Sequence, residues 1–423
     1  MTSSMEHSVF GCKVNKFYLN RRLSYFRQRQ FDTANSHLMA TCVVTDRAKT
    51  KRIKAALNQL TSGKDLFLTW CGAFEKGEAM DYEKFFALYP KLLPYREQVT
   101  LLGEDPYIQT DLGQVGEYEL NKELSRSTVS PRLTTKKFLV IQSGCDTYCT
   151  FCLTIYRRGA HRSRSLEEII EEVEEFTAAG GQEVVITWVN LAARWASHTR
   201  KPSESKFSAL LSSLLQKTRI QRIRISSLGP EFLDDQFFDV LTDTRFLPHF
   251  HVSIQHFDTQ VLQHMNRNYD EQVLRDVLVR LRRIDRFDCD KISIWADLII
   301  WFPGESDEAF QKLLASVEEF RITKVHAFPF STHQKGESVP AGKLKNQVPT
   351  AVKKKRMQQI LSLAEQIRSD FKQENRGVTR PVLLEKKRDG WRTWRTPNYL
   401  EARLPDAGYS RWQVVEVAYK GDL

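Results

Sequence analysis

The chain has 423 residues, 41% hydrophobic and 27% charged, a composition of ordinary globular domains that excludes a disordered, collagen-like or disulfide-stapled protein. At about 150 residues per domain the length predicts two or three domains. Lys and Arg number 63 against 52 Asp and Glu, a net charge of +11, which makes a polyanion such as RNA a natural partner. The excess is local: residues 343–423 hold 18 Lys and Arg against 9 Asp and Glu. No apolar run approaches the ~18 residues of a membrane span, and the opening MTSSMEHSVFGC lacks the order of a signal peptide. A cytoplasmic α/β protein without membrane contact is expected. Its seven cysteines would then be buried, catalytic or metal-bound rather than paired.

In the first 75 residues short apolar runs alternate with polar stretches of helical spacing, and each run closes on a cysteine: Cys12 after HSVFG, Cys42 after HLMAT, Cys71 after DLFLTW. Residues 15–29 and 47–60 read as the intervening helices. Strands joined by crossover helices lie parallel, so the three thiols are expected on one sheet edge. They also read as small apolar residues ending strands. This first domain is placed at 1–120, and the polar, proline-containing stretch 121–135 reads as a linker.

From residue 136 six strand-like runs follow, KFLVIQ, EVVITWV, IRISSL, HFHVSIQ, ISIWADLIIW and KVHAFPF, separated by helical stretches such as 166–179 and 271–283. Six βα units are too few for the eight-stranded barrel of ~250 residues, so a partial parallel barrel open on one side is expected. It is completed by a basic helix from 351 to about 373, giving a domain at 136–372. Residues 373–423 carry short β-rich runs broken by Gly, Pro and Asp, and read as a small β-barrel.

The sharpest local signal is GCDTYCTFC, which puts Cys145, Cys149 and Cys152 directly after the first barrel strand. Three thiolates spaced C-x3-C-x2-C fit three irons of a 4Fe–4S cluster and leave the fourth open. A structural zinc usually takes four protein ligands, and only His161 stands nearby as a fourth. Next comes RRGAHRSR, with Arg157, Arg158, Arg162 and Arg164. It reads as a basic turn before a helix capped by Ser165 and Glu168, as a set of phosphate contacts, or both. Lys353, Lys354, Lys355 and Arg356 read as a solvated helix face or a rail for an RNA backbone. Cys289 reads as an ordinary thiol.

The cysteine triplet resembles the signature of the radical S-adenosylmethionine enzymes. GCKVN at 11–15, TCVVT at 41–45, Cys71, RGAHRSR at 158–164, RIRISS at 222–227, MNRNY at 265–269, FPGES at 302–306 and GESVPAG at 336–342 resemble the methylthiotransferases of that superfamily, over nearly the whole chain. The resemblance implies a Rossmann-like first domain, a partial (βα)6 radical SAM barrel and a TRAM-like RNA-binding barrel. It implies two 4Fe–4S clusters, a catalytic one on Cys145, Cys149 and Cys152 that binds S-adenosyl-L-methionine through its open iron, and a second on Cys12, Cys42 and Cys71 that supplies sulfur. Tyr148, Phe151, Asn190, Ser226, Gln255 and Pro303 carry over as cofactor contacts. Arg158, Arg162, Arg164, Lys353, Lys354, Lys355 and Arg356 carry over as RNA contacts. A monomer acting on tRNA, reduced by a flavodoxin or ferredoxin, follows. GCKVN, FPFS and the GESVPAG–NQV region look most like the branch acting on N6-threonylcarbamoyladenosine beside the anticodon.

The chain also departs from the family. Trp70, Trp188, Trp295 and Trp301 stand where glycine is usual, QHFDT with His256 and Phe257 replaces a stretch of small residues, and Gly229 replaces a glutamate. The tryptophans read as core residues of the barrel, as stacking partners for an adenine, or as side chains filling a cofactor pocket that glycine leaves open. Two other readings therefore stand beside the tRNA enzyme: a catalytically impaired tRNA-binding iron–sulfur protein, and a methylthiotransferase acting on a ribosomal protein.

Overall fold

The computed structural model describes residues 5–10, 15, 19, 22, 23, 26, 34–43, 46–69, 71–103, 136–189, 207–284, 291–333, 338–388, 390–406, 408–410 and 413–421. The expected linker and Cys12, Trp70, Asn190 and Cys289 lie outside them.

Strands β1 (Glu6–Val9), β2 (Ser36–Ala40) and β3 (Asp65–Thr69) are parallel, and in-register pairing joins β1 to β2 and β2 to β3. Crossover helices make this possible. One spans Asp46–Thr61; in the other, Leu19, Leu23 and Phe26 pack at helical spacing on Leu38 and Ala40. Beyond a small hairpin, β4 (Phe74–Glu75) with β5 (Glu78–Ala79), a strand absent from the sequence reading extends the sheet: β6 (Val99–Leu102) pairs parallel with β3. Its VTLL run is short and follows the 3-10 turn Pro90–Gln98, so no amphipathic helix announces it.

The second unit opens with β7 (Lys137–Val140), a two-residue β8 (Gln142–Ser143) and β9 (Arg162–Ser163), then continues through β10 (Glu183–Thr187), β11 (Arg222–Leu228), β12 (Phe246–Gln255), β13 (Ser293–Ile300) and β14 (Lys324–Pro329). All six expected barrel strands are present, parallel, in the order β14-β13-β12-β11-β10-β7. Successive neighbours in sequence are neighbours in the sheet, as right-handed βα crossovers dictate. No pairing joins β7 to β14 among the described residues, so the barrel is open.

Alternation sorts the side chains into two sets. Ile294, Ala296, Leu298 and Ile300 of β13 join the core formed with the surrounding helices, which leaves Trp295 and Asp297 on the inner face. The helix Leu166–Ala178 shows why these segments are helical. Ser165 and Glu168 form the expected capping box, and Ile169, Val173 and Phe176 repeat at three- and four-residue intervals on the buried side. Each such side chain contributes about 1.5–3 kcal/mol by leaving water.

After the helix Thr350–Glu374 come β15 (Thr379–Arg388), β16 (Trp391–Arg395), β17 (Glu401–Pro405) and β18 (Val414–Ala418), antiparallel in the order β17-β16-β15-β18. They form a curled half-barrel with Trp394 and Tyr419 in its core. It docks on the amino-terminal ends of the barrel strands. Arg224 donates to the carbonyls of Pro397 (2.7 Å) and Thr396 (3.0 Å), and Arg222 to that of Pro381 (3.2 Å). Tyr399 stacks on His249 with centroids 4.3 Å apart. The fully buried Glu183 carboxylate anchors this end, taking Arg224 at 2.7 Å, Arg222 at 3.0 Å and Lys136 at 3.4 Å.

Burial alone would raise the Glu183 carboxyl, but Arg224, Lys136 and Arg222 outweigh it and hold it well below the usual carboxylate range. At Glu172, burial is likewise outweighed by Lys137 and Arg164, which bring the carboxyl from 4.5 down to about 2. A depressed folded-state value contributes stability that is present above the unfolded value and is lost as pH falls through the folded one. Acidification from pH 4.5 towards 2 is therefore expected to remove the Glu172 contribution. Glu183→Ala, which leaves the buried Arg222 and Arg224 without their carboxylate, should cost about 3–5 kcal/mol, read as an earlier urea midpoint by circular dichroism.

Candidate cluster site

The chain leaves the first barrel strand through β8, loops out, and returns through β9, which pairs antiparallel with β8. The neck of this loop is tight. The Cys145 amide donates to the Gly159 carbonyl at 3.1 Å. Gly144, at φ 73°, could not carry a Cβ, which would lie 1.9 Å from the Ala160 carbonyl oxygen. Gly159, at φ 70°, is held similarly close to the Lys76 carbonyl, 2.6 Å from where its Cβ would be.

Cys145, Cys149 and Cys152 sit on the loop, Cys149 buried and the others half-buried. The Asn266 side chain donates to the Thr147 and Tyr148 carbonyls at 3.2 and 3.1 Å, and the Thr150 amide to the Met265 carbonyl at 3.1 Å. This fixes the loop against the segment after β12. Tyr148 stands exposed at the crest in the left-handed region, φ 52°. Burial, then Cys149, pushes the Cys152 thiol up to about 12. Two donors face the sulfurs: the Thr154 amide 3.3 Å from Cys152 Sγ and Arg267 Nη1 3.2 Å from Cys149 Sγ. Arg267 is itself buried, its Nε donating to Tyr269 Oη at 3.0 Å and its Nη2 3.6 Å from Glu231. Burial would lower its pKa, but Tyr269 and Glu231 outweigh it and raise it well above the usual value, so the guanidinium stays charged. Cationic and amide donors behind sulfur favour thiolate. Three cysteine sulfurs on one loop, two of them facing such donors, suit a cluster whose fourth iron takes a ligand from elsewhere.

The ends of the first-domain strands are tied together beside this loop. Thr41 Oγ1 donates to the Thr69 carbonyl (2.8 Å) and accepts from the Gly72 amide (3.0 Å). The Asn15 side chain donates to the carbonyls of Phe10 (2.6 Å) and Thr41 (3.1 Å). Cys42 and Cys71 therefore share one sheet edge, half-buried and buried respectively.

The seam between the two units runs through Cys71. Arg158 Nε donates to Cys71 Sγ at 3.0 Å, and Arg157 Nη1 to the Phe74 carbonyl at 2.9 Å. The amides of Lys76 and Gly77 donate to the Tyr156 and Arg157 carbonyls at 3.0 and 2.8 Å. The short helix carrying these arginines, Thr154–Arg158, starts two residues after Cys152.

The expected RNA contacts divide. Arg158 and Arg356 are 5% and 4% exposed, so both belong to the interior and are corrected. Arg356 pairs with Glu305 (2.5 Å) and Asp307 (2.6 Å). Its position is legible in retrospect, because it lies on the stripe of Ile360, Ala364, Ile367 and Phe371. Arg164 is half-buried and pairs with Glu172 at 2.5 Å. Arg162, Lys354 and Lys355 are exposed and Lys353 is half-buried.

The expected cofactor contacts lie at the carboxyl edge of the barrel or on the cluster loop. Ser226 is buried, its Oγ without a hydrogen bond; Phe151 and Gln255 are half-buried and Pro303 is buried. Three adjacent strands end in left-handed backbone at non-glycine residues, Ser227 (φ 46°), Gln255 (φ 64°) and Trp301 (φ 54°). Such strain costs about 1–3 kcal/mol per residue and clusters at binding sites.

The crowding expected from large side chains is displaced. Trp188 packs edge-on against Phe207 at 5.2 Å and Phe257 stacks on Phe320 at 6.0 Å, both in the helix-facing core. Their positions fall on the outward register. Trp295 lies deep in the barrel against His249 and Tyr399, at 4.5 and 4.9 Å. His256 is fully buried, with burial lowering its pKa to about 3. Trp301 is half-buried. Arg267 and Glu231 were not singled out as site residues, although MNRNY was noted. No local pattern marks Glu231, which finds Arg267 only in the fold.

Residues 139–317 match the family described as the radical SAM superfamily. Threonylcarbamoyladenosine tRNA methylthiotransferase MtaB of Bacillus subtilis (strain 168) is 27% identical over 89% of this chain and 84% of its own. Ribosomal protein uS12 methylthiotransferase RimO of Syntrophotalea carbinolica (strain DSM 2380 / NBRC 103641 / GraBd1) is 28% identical over 89% and 83%. The tRNA-2-methylthio-N(6)-dimethylallyladenosine synthase of Bacillus subtilis (strain 168) is 27% identical over 89% and 75%.

The placement of Arg158 is open to test by thermal and urea unfolding. Arg158→Ala leaves buried acceptors unpaired and should destabilise by about 1–3 kcal/mol, whereas the exposed Arg162→Ala should stay within about 0.5 kcal/mol of wild type.

Proposed function

The chain belongs to the radical SAM methylthiotransferase family, and we propose that it inserts a methylthio group at position 2 of N6-threonylcarbamoyladenosine next to the anticodon of tRNA. The observation that carries this reading is the seam: the edge bearing Cys42 and Cys71 meets the loop of Cys145, Cys149 and Cys152 through the Arg158–Cys71 contact. A chemistry that activates a carbon at one centre and delivers sulfur from another needs that adjacency. The tRNA relative over 89% of the chain and the basic carboxyl-terminal 81 residues support the choice of substrate.

In this reading Cys145, Cys149 and Cys152 hold one 4Fe–4S cluster with S-adenosyl-L-methionine, and Cys12, Cys42 and Cys71 hold a second. These groups supply radical chemistry at an unactivated aromatic C–H, which no side chain can deprotonate at neutral pH. The chain's own residues position and insulate. Arg267 and the Thr154 amide hold sulfurs by hydrogen bonds. Ser226 brings a hydroxyl free for a ligand, and Gln255 presents an amide from the strained end of its strand. Arg157, Arg158 and Phe74 close the seam against water.

The half-barrel docks at the amino end of the barrel, opposite the cysteine loop. In β12, ten residues long, the two ends are about 30 Å apart. The tail would therefore grip the tRNA backbone at a distance from the modified base, with Arg162, Lys354 and Lys355 as further exposed cations. No helix among the described residues is long and apolar enough to cross a membrane. A cytoplasmic monomer reduced by a flavodoxin or ferredoxin completes the proposal.

The ribosomal-protein relative defines the competing substrate. Anaerobically reconstituted protein, supplied with methyl-labelled S-adenosyl-L-methionine and a mixture of ribosomal protein uS12 and tRNA bearing N6-threonylcarbamoyladenosine, is expected to label the RNA. Nucleoside digestion should place the label on that adenosine. Label recovered in uS12 would overturn the substrate assignment.

A further inference from the structure

The inner face of the barrel carries a second ligand set that uses no cysteine. We propose that His251 Nε2, Asp297 Oδ1 and His326 Nδ1 bind a divalent transition-metal ion, with Zn2+ the ion best suited to them. The three residues come from β12, β13 and β14. Asp297 lies directly opposite His326, and His251 lies opposite Trp295, two residues before Asp297. Their neighbours Val252, Ala296, Leu298 and Val325 pack in the helix-facing core, so alternation turns all three ligands inward.

The geometry is that of a nearly assembled site. His251 Nε2 lies 2.9 Å and His326 Nδ1 3.2 Å from the same carboxylate oxygen, and all three ligand atoms fall within 4.8 Å of one another. Around an ion with bonds of ~2.0–2.1 Å, tetrahedral ligands stand about 3.3 Å apart, so small shifts complete the coordination. A second observation concerns hydrogen bonding. His251 is 8% exposed, yet its Nε2 makes no hydrogen bond despite the nearby oxygen. The nitrogen lies 2.9 Å from Asp297 Oδ1 without meeting hydrogen-bond geometry, and the same oxygen also takes His326.

The surroundings suit an ion with open positions. Trp295 closes one side, its ring centroid 6.3 Å from that of His251 and 5.6 Å from that of His326. Lys324 Nζ lies 4.1 Å from the centre of the same indole. Two imidazoles and one carboxylate form the ligand set of open zinc sites and of facial-triad iron sites. The remaining positions would take water, or an oxygen or nitrogen donor of a molecule in the lumen. Nitrogen and oxygen donors separate this site from the thiolate sets, which select iron–sulfur clusters.

The test uses cluster-reconstituted protein incubated with zinc sulfate and desalted, with metal content by mass spectrometry and zinc K-edge X-ray absorption. Wild type should retain about one zinc with nitrogen and oxygen neighbours at ~2.0–2.1 Å and no sulfur at ~2.3 Å. His326→Ala and Asp297→Asn should lose most of the zinc while keeping the iron content of wild type. Should either variant misfold, the wild-type absorption edge still decides. No retained zinc would show that the three residues form only a hydrogen-bonded cluster. Sulfur in the first shell, with zinc unchanged in His326→Ala, would place the ion on cysteines. Either result overturns the proposal.

Discussion

A charged guanidinium can leave water only where acceptors wait for it, and Arg158 meets that condition at the Cys71 sulfur. Much of the molecule is arranged around this contact. The tied strand ends of the first domain fix where Cys71 stands, through Thr41 and Gly72. The narrow neck at Gly144 and Gly159 fixes where the helix bearing Arg158 emerges. Backbone bonds from Lys76 and Gly77 then align the two units. A buried cation at a cysteine on one side is matched by Arg267 at Cys149 on the other. Cys71 and Cys149 therefore each face a positive charge held in the interior, where water screens it little.

The barrel separates its tasks by strand direction. At the amino end, Glu183 and its three cations bind the half-barrel in place. At the carboxyl end, the strain of Ser227, Gln255 and Trp301 and the cysteine loop gather the chemistry. Between them the inner face is polar and aromatic, with His249, His251, Trp295, Asp297 and His326 in mutual contact. The opposite rim holds a buried Ser226 hydroxyl without a hydrogen bond.

The parts of the fold set by local pattern were readable in advance. Buried parallel strands give continuous apolar runs, so all six barrel strands were found, and Ser165 with Glu168 marked a helix start. Two short strands were not: the edge strand β6 and the interior strand β16 lack the flanking period that would announce them. The arginines failed for a different reason. A charge run reads as solvated when its partner is remote, and Cys71 lies 87 residues from Arg158. Trp188 packs in the core, the reading its strand-end position favoured, while the face of Phe257 depends on register, which one residue inverts. Left-handed backbone at Gln255 and Trp301 carries no glycine to betray it.

The central claim is that the loop of Cys145, Cys149 and Cys152 serves a cofactor pocket that Trp188, Trp295 and Phe257 leave open. Its most direct test is 5'-deoxyadenosine formation by reconstituted protein given dithionite and S-adenosyl-L-methionine without any acceptor. Product is expected from wild type and none from Cys145→Ala. A wild-type preparation holding at least the four irons of one 4Fe–4S cluster that forms no 5'-deoxyadenosine would contradict it.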